Sequence, residues 1–166
     1  MRLLSPIIAK DNPLSVEHAA RTAVASVVSL FIARWFGLEE SHWAAITTLV
    51  VMQSTLGAAL PISVQRFAGT ALGAAVGAVA GTWYPANALV FGVCVLILGI
   101  ILVPFGFERN AYRHAILSLA IIMLVPGHAG WTVALHRFFE TSVGIAVALA
   151  FTAVWPERSL SFLKTQ

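Results

Sequence analysis

Six long apolar blocks constrain this chain more than any other feature. They run roughly 16–36, 43–60, 66–84, 87–105, 111–125 and 134–155. A transmembrane helix needs roughly 20 predominantly apolar residues at 1.5 Å rise per residue. Lipid offers no partner for a free backbone N–H or C=O, so a spanning segment folds as a helix or as part of a closed barrel. The alternation of polar and apolar residues that a barrel strand requires is absent. Charge is too scarce for a water-facing surface. Only 10% of the residues are charged, against about 25% in soluble domains, and mean hydropathy is +0.88. The expectation is an all-α polytopic membrane protein of six transmembrane helices. Residues 1–15 are expected as a cytoplasmic N-terminal segment, 16–156 as the membrane domain and 157–166 as a cytoplasmic tail. The first block, followed by five more and by no small-residue cleavage site, is not read as a signal peptide. The fifth is the shortest, with an apolar core of about 15 residues that local thinning or flanking residues must accommodate.

Block edges carry local signals. Ser15 is a candidate N-cap for the first helix, with Glu17 and Arg21 spaced for an i,i+4 pair. Pro61, Pro85, Pro126-Gly127 and Pro156 mark expected ends of the second, third, fifth and sixth blocks. Trp35, Trp43, Trp83, Tyr84, Trp131 and Trp155 lie near edges, as an aromatic belt requires. Six spans put Arg2, Lys10, Arg21, Arg66, Arg109, Arg113, Arg158 and Lys164 on one side, and only Arg34 and Arg137 on the other. The positive-inside rule then places both termini in the cytoplasm, which for a bacterial chain means the inner membrane. The basic residues form no patch, so nucleic acid is not an expected partner.

The sequence repeats itself. Arg66-Phe67-x-x-Thr70-x-x-Gly73-x-Ala75-Val76 recurs as Arg137-Phe138-x-x-Thr141-x-x-Gly144-x-Ala146-Val147, an offset of 71. At that offset Pro85 falls on Pro156, Met52 on Met123 and Ala44 on Ala115. The repeats are about 16–85 and 87–156, three spans each. An odd number of spans inverts the second copy, giving a 3+3 inverted-topology repeat. That architecture belongs to transporters with a midplane site between the repeats, and a channel or scaffold is the alternative. Gly69, Gly73, Gly77 and Gly81 recur every fourth residue, a spacing for close helix packing. The equivalent register in the sixth block is Glu140, Gly144, Ala148 and Thr152, so the third and sixth helices are expected to cross through these faces.

His42-Trp43-Ala44-Ala45-Ile46-Thr47-Thr48, Val51-Met52-Gln53-Ser54-Thr55-Leu56-Gly57 and Arg66-Phe67-Ala68-Gly69-Thr70-Ala71-Leu72-Gly73 together resemble the fusaric acid resistance / aromatic acid exporter family. Arg109-Asn110-Ala111-Tyr112 and the closing Arg137, Thr141, Gly144 and Trp155-Pro156 fit as well, so the likeness covers about 15–157. The resemblance implies export of aromatic carboxylic acids from the bacterial cytoplasm, driven by the proton gradient. Longer members of that family carry two six-span units and cytoplasmic domains. A single unit therefore implies either a homodimer that rebuilds twelve spans or a reduced member with a different role.

An ionisable group inside the membrane costs roughly 2.5–3.5 kcal/mol at a helix centre, which makes each one a functional candidate. Arg66 and Arg137 are read as opening the third and sixth spans, where a guanidinium fork binds a substrate carboxylate or anchors the helix end. Glu140 is read one turn into the sixth span, paired with Arg137 or His136 or carrying the coupling proton, because burial disfavours a charged carboxylate. His114 is a second proton candidate, and His42 likewise opens a span. Gln53, with Ser54 and Thr55 ahead of Gly57, is a candidate helix break lining the substrate cavity. Trp43, Thr70 and Thr141 complete the substrate set, and Thr47 and Thr48 are expected to bond back to their own helix. The histidines, His18 and His128 included, show no metal-ligand spacing, and no cofactor is expected. Cys94 reads as a small buried apolar residue. No nucleophile elbow or phosphate-cradling loop occurs, which argues against an enzyme and against ATP drive. The function expected is a secondary exporter of small organic anions; a non-transporting assembly subunit and a passive channel are the alternatives.

Overall fold

The computed structural model describes residues 16–53, 55–84, 87–104, 106, 108–124 and 130–155. Ser15, Ser54, Pro85, Pro126, Gly127, His128 and Pro156, with Arg2, Lys10, Arg158 and Lys164, lie outside the described residues. Among the described residues the fold is all helical: α1 Val16–Trp35, α2 His42–Val51, α3 Leu56–Trp83, α4 Ala88–Leu102, α5 Arg109–Leu124 and α6 Gly130–Val154. Three of these, α1, α3 and α6, are long and apolar enough to cross a membrane; α2 and α4 are shorter apolar helices.

Local chemistry sets the boundaries. Gly37 has φ +70° and follows α1. The Gly37 N–H donates to Arg34 and the Leu38 N–H to Ala33, the bond pair of a Schellman stop. The Thr55 hydroxyl accepts from the Ala58 N–H at 3.3 Å and caps α3. Asn87 accepts from both Leu89 and Val90 and caps α4.

The Thr55 cap changes the expected helix boundaries. The second block was expected to run to Pro61 and the third to begin near residue 66, but α2 stops at Val51 and α3 begins at Leu56. Pro61 sits inside α3, in its second turn. There it removes one hydrogen bond, to the Gly57 carbonyl, without stopping a helix already capped upstream. Arg66 consequently lies well inside the 28-residue α3, and Arg137 and Glu140 well inside the 25-residue α6. None of the three stands at a helix end, so the placing of both arginines at the opening of a span is corrected, and with it their place in the orientation count.

Helix α3 packs along α5 and crosses α6, while α6 packs in turn on α2 and α1. Phe67 faces Phe138 with ring centroids 5.1 Å apart, and Gly130 meets Ala78 and Thr82. Helices α3 and α6 therefore run antiparallel. Their small-residue faces do not meet each other. A Cβ on Gly69 or Gly73 would collide with the Ala111 or Ala115 carbonyl of α5. A Cβ on Gly77 would come within 3.2 Å of Ile122, whereas Gly81 has ordinary room. On α6, a Cβ on Gly144 would lie 2.5 Å from the Ala44 carbonyl of α2. The expected crossing through these faces is thus corrected, because each glycine face is filled by a parallel neighbour's backbone. In lipid, where apolar burial drives little association, such backbone contact is a main source of packing energy.

Candidate functional site

Where α3 and α6 cross, polar side chains replace the apolar packing. Arg66 is 7% exposed. Its Nε and Nη2 donate to the Thr47 hydroxyl at 3.2 and 3.0 Å. Its Nη1 lies 3.3 Å from His114 Nδ1. An arginine only donates, so this contact requires an unprotonated Nδ1 on His114. Helix α3 thereby fastens α2 and α5 through one guanidinium.

Arg137 is 4% exposed and is held differently. Its guanidinium lies over the Trp43 ring, 3.9 Å from the centroid. Its Nη1 is 4.0 Å from Glu140 Oε2, beyond hydrogen-bond reach. Glu140 is completely buried, and its Oε1 accepts from the Glu40 N–H at 3.1 Å. Glu40 in turn accepts from the Trp43 indole N–H at 2.9 Å. Arg137 Nε and Nη1 and Glu140 Oε2 have no hydrogen-bond partner among the described residues. Two guanidinium groups thus share the buried crossing with the Glu140 carboxylate, and the half-buried Glu40 stands beside Arg137.

Two clefts flank the crossing. One, of about 640 Å³, is lined by Leu60, Pro61, Val64, Gln65 and Glu108 among others. The second, of about 160 Å³, is lined by Glu39, Glu40, Thr132, Val133, His136 and Arg137. His136 Nδ1 lies 4.0 Å from Glu39.

Of the residues singled out in the sequence, Arg66 and His114 are in contact, as are Arg137 and Trp43, and Arg137 and Glu140. Thr70 and Thr141 are buried on α3 and α6. Gln53 stands apart. Its carbonyl accepts from Arg21 Nη2 at 2.7 Å, and Arg21 Nη1 donates to the Trp155 carbonyl. Arg21 thus ties together the chain ends beyond α2 and α6, and the break after Val51 leads to this clamp. Thr48 donates to its own helix at Ala44 and also to the Gly144 carbonyl. Sequence reasoning missed Thr47 as the partner of Arg66, and Glu40 altogether. The available signal was the spacing of Trp43 and Thr47, four apart on one face of α2, with Glu40 just ahead of that helix.

The chain is similar to several bacterial proteins. It is 25% identical to the inner membrane protein YeeA of Escherichia coli (strain K12) over 154 residues, 91% of this chain and 44% of that protein. It is 27% identical to the inner membrane protein YccS of the same organism, covering 84% of this chain and 20% of that one. A protein named uncharacterized transporter YdhK, also of Escherichia coli (strain K12), is 26% identical over 86% of this chain and 23% of its own length. The chain therefore spans less than half the length of these relatives. No solved structure matches it. Residues 26–151 match the family model described as fusaric acid resistance protein-like, and with apolar helices long enough to cross a membrane the chain belongs to that membrane-protein family.

Proposed function

We propose that this chain is an exporter unit for small organic anions, aromatic carboxylic acids foremost, coupled to protons and built as an inverted 3+3 repeat with both termini cytoplasmic. The observation that carries the reading is a reciprocity at the crossing. Arg66 of α3 meets His114 of α5, and Arg137 of α6 meets Trp43 of α2. Adding 71 turns Arg66 into Arg137, and subtracting 71 turns His114 into Trp43.

Further contacts exchange in the same way. Gly73 against Ala115 becomes Gly144 against Ala44. The cluster of Ala74, Ala78, Ile122 and Val133 becomes Ile145, Leu149, Val51 and Ile62. Every helix pair in contact has its mate in contact, and the α3–α6 pair maps onto itself. The first helices follow a slightly shorter step: Ala25, Ser29 and Ala33 are buried where Cys94, Leu98 and Leu102 are, an offset of 69. Gly37 and Gly106, both at positive φ, share that offset.

A twofold exchange of this kind supports a path reachable from both faces. The paired buried arginines supply the attraction for a carboxylate. Arg137, with two open donors and an indole beneath it, is the better placed to take a planar acid. Rocking of the two repeats about the α3–α6 crossing then moves the anion between faces. The chain is proposed to act as a homodimer. Growth in fusaric acid tests the function. Cells expressing the chain should tolerate at least several-fold more than cells carrying Arg137→Gln at equal membrane abundance. Equal tolerance would contradict the reading.

A further inference from the structure

The two clefts are mates of one another. At the offset of 71, Pro61 and Gln65 of the wide cleft correspond to Thr132 and His136 of the narrow one. Because α3 and α6 run antiparallel, the clefts sit toward opposite ends of the molecule. Each cleft has a loop carboxylate, Glu39 at the narrow one and Glu108 at the wide one, which share the offset of 69 seen for Gly37 and Gly106. The helices differ: His136 and Glu140 on α6 stand where α3 has Gln65 and Gly69. Two titratable groups on α6 thus answer to neutral positions on α3.

Size separates the clefts as well. The wide cleft measures about 640 Å³ and the narrow one about 160 Å³. At about 30 Å³ per water, the narrow cleft has room for a short water chain. At its inner wall is Arg137, almost wholly buried, with Nε and Nη1 lacking a hydrogen-bond partner among the described residues. Behind Arg137 and Glu40 lies Glu140, whose Oε2 is in the same condition. Buried polar atoms of this kind are costly unless water or a ligand meets them.

Glu140 faces charged groups from several elements. Its own helix contributes Arg137 and His136, and the α1–α2 loop contributes Glu39 and Glu40. Arg66 of α3 acts on Arg137 rather than on Glu140 directly, and His114 of α5 lies against Arg66 at 3.3 Å.

We propose that the narrow cleft is a proton antechamber serving Glu140. A proton from water on that face passes Glu39 and His136 to the Glu140 carboxylate, leaving a neutral carboxyl. The return step releases that proton to water. The assignment rests on the proton-coupled reading above and gives the proton its route.

A water-soluble carbodiimide, which modifies carboxyl groups, tests the route without a substrate. It is applied to right-side-out and inverted membrane vesicles holding the full chain, with modification of Glu140 read by peptide mass spectrometry. Modification from one face only is expected. Thr132→Trp, which fills the narrow cleft, should slow it at least fivefold, and Val64→Trp in the wide cleft should leave it within twofold. Slowing by Val64→Trp alone, or by neither variant, overturns the proposal. In proteoliposomes with fusarate as the probe, the Glu39→Gln, His136→Gln double variant should slow movement driven by a pH gradient at least fivefold more than fusarate–fusarate exchange. Equal slowing of both modes also overturns it. Wild-type exchange without any response to a pH gradient would overturn the proton-coupled reading itself, whatever the carbodiimide result.

Discussion

Arg66 directs its donors at Thr47 and His114, whereas Arg137 lies over the Trp43 ring with Nε and Nη1 open. The two residues occupy equivalent places in the chain's repeat and are both buried, so their difference comes from their neighbours. Around Arg66 the neighbours are a hydroxyl and an imidazole lone pair that accept its protons. Around Arg137 they are an aromatic face and a carboxylate 4.0 Å away. A guanidinium whose donors are taken holds helices together, and one whose donors are open is available to a ligand. Each arginine should therefore fail in its own way when altered.

The largest effects should come from the packing that places both arginines. Gly73→Val drives a side chain into the Ala115 carbonyl, and Gly144→Val does the same at Ala44. Each should cost about 1–3 kcal/mol or more and remove most folded protein in a detergent melting assay. Gly81→Ala, with ordinary room, should shift stability by no more than about 0.5 kcal/mol. Next in size is the contrast at the crossing. Thr47→Val strands two buried donors of Arg66 and should lower stability by about 1–3 kcal/mol. Arg137→Lys should leave the melting temperature nearly unchanged and cut fusarate movement at least tenfold, because a point charge lacks the planar fork. Equal behaviour of the two variants would break the comparison. The smallest effect belongs to Trp43→Leu, which loses a cation–π contact worth about 0.5–2 kcal/mol, read as weaker fusarate binding with modest loss of stability.

How far the sequence foresaw this arrangement depends on the kind of interaction. Arg, Phe, Thr and Gly in register at an offset of 71 are local letters in a shared frame, and they brought Arg66 and Arg137 to notice before any coordinates. Apolar blocks likewise foretold helices. The boundary near Pro61 was misread because a proline is a visible stop signal, whereas the Thr55 cap upstream is a weak one. That error moved Arg66 from the middle of a helix to its end and so hid its burial. The glycine spacing announced a close approach without saying to which helix, since a small face is compatible with any backbone. Thr47 and Glu40 escaped because their roles arise only from what lies opposite them in space. A threonine inside an apolar helix looks self-bonded until an arginine 19 residues later points at it.

The inverted relation between the two halves underlies the whole account, and sided labelling tests it most directly. Glu39 and Glu108 lie in the loops that precede α2 and α5, and both are exposed. Cysteine is placed at either position with Cys94 changed to alanine, and intact cells are treated with a membrane-impermeant thiol reagent. The account predicts that Glu39→Cys is labelled in intact cells and Glu108→Cys only after the membrane is opened. Labelling of both from the same face would contradict it.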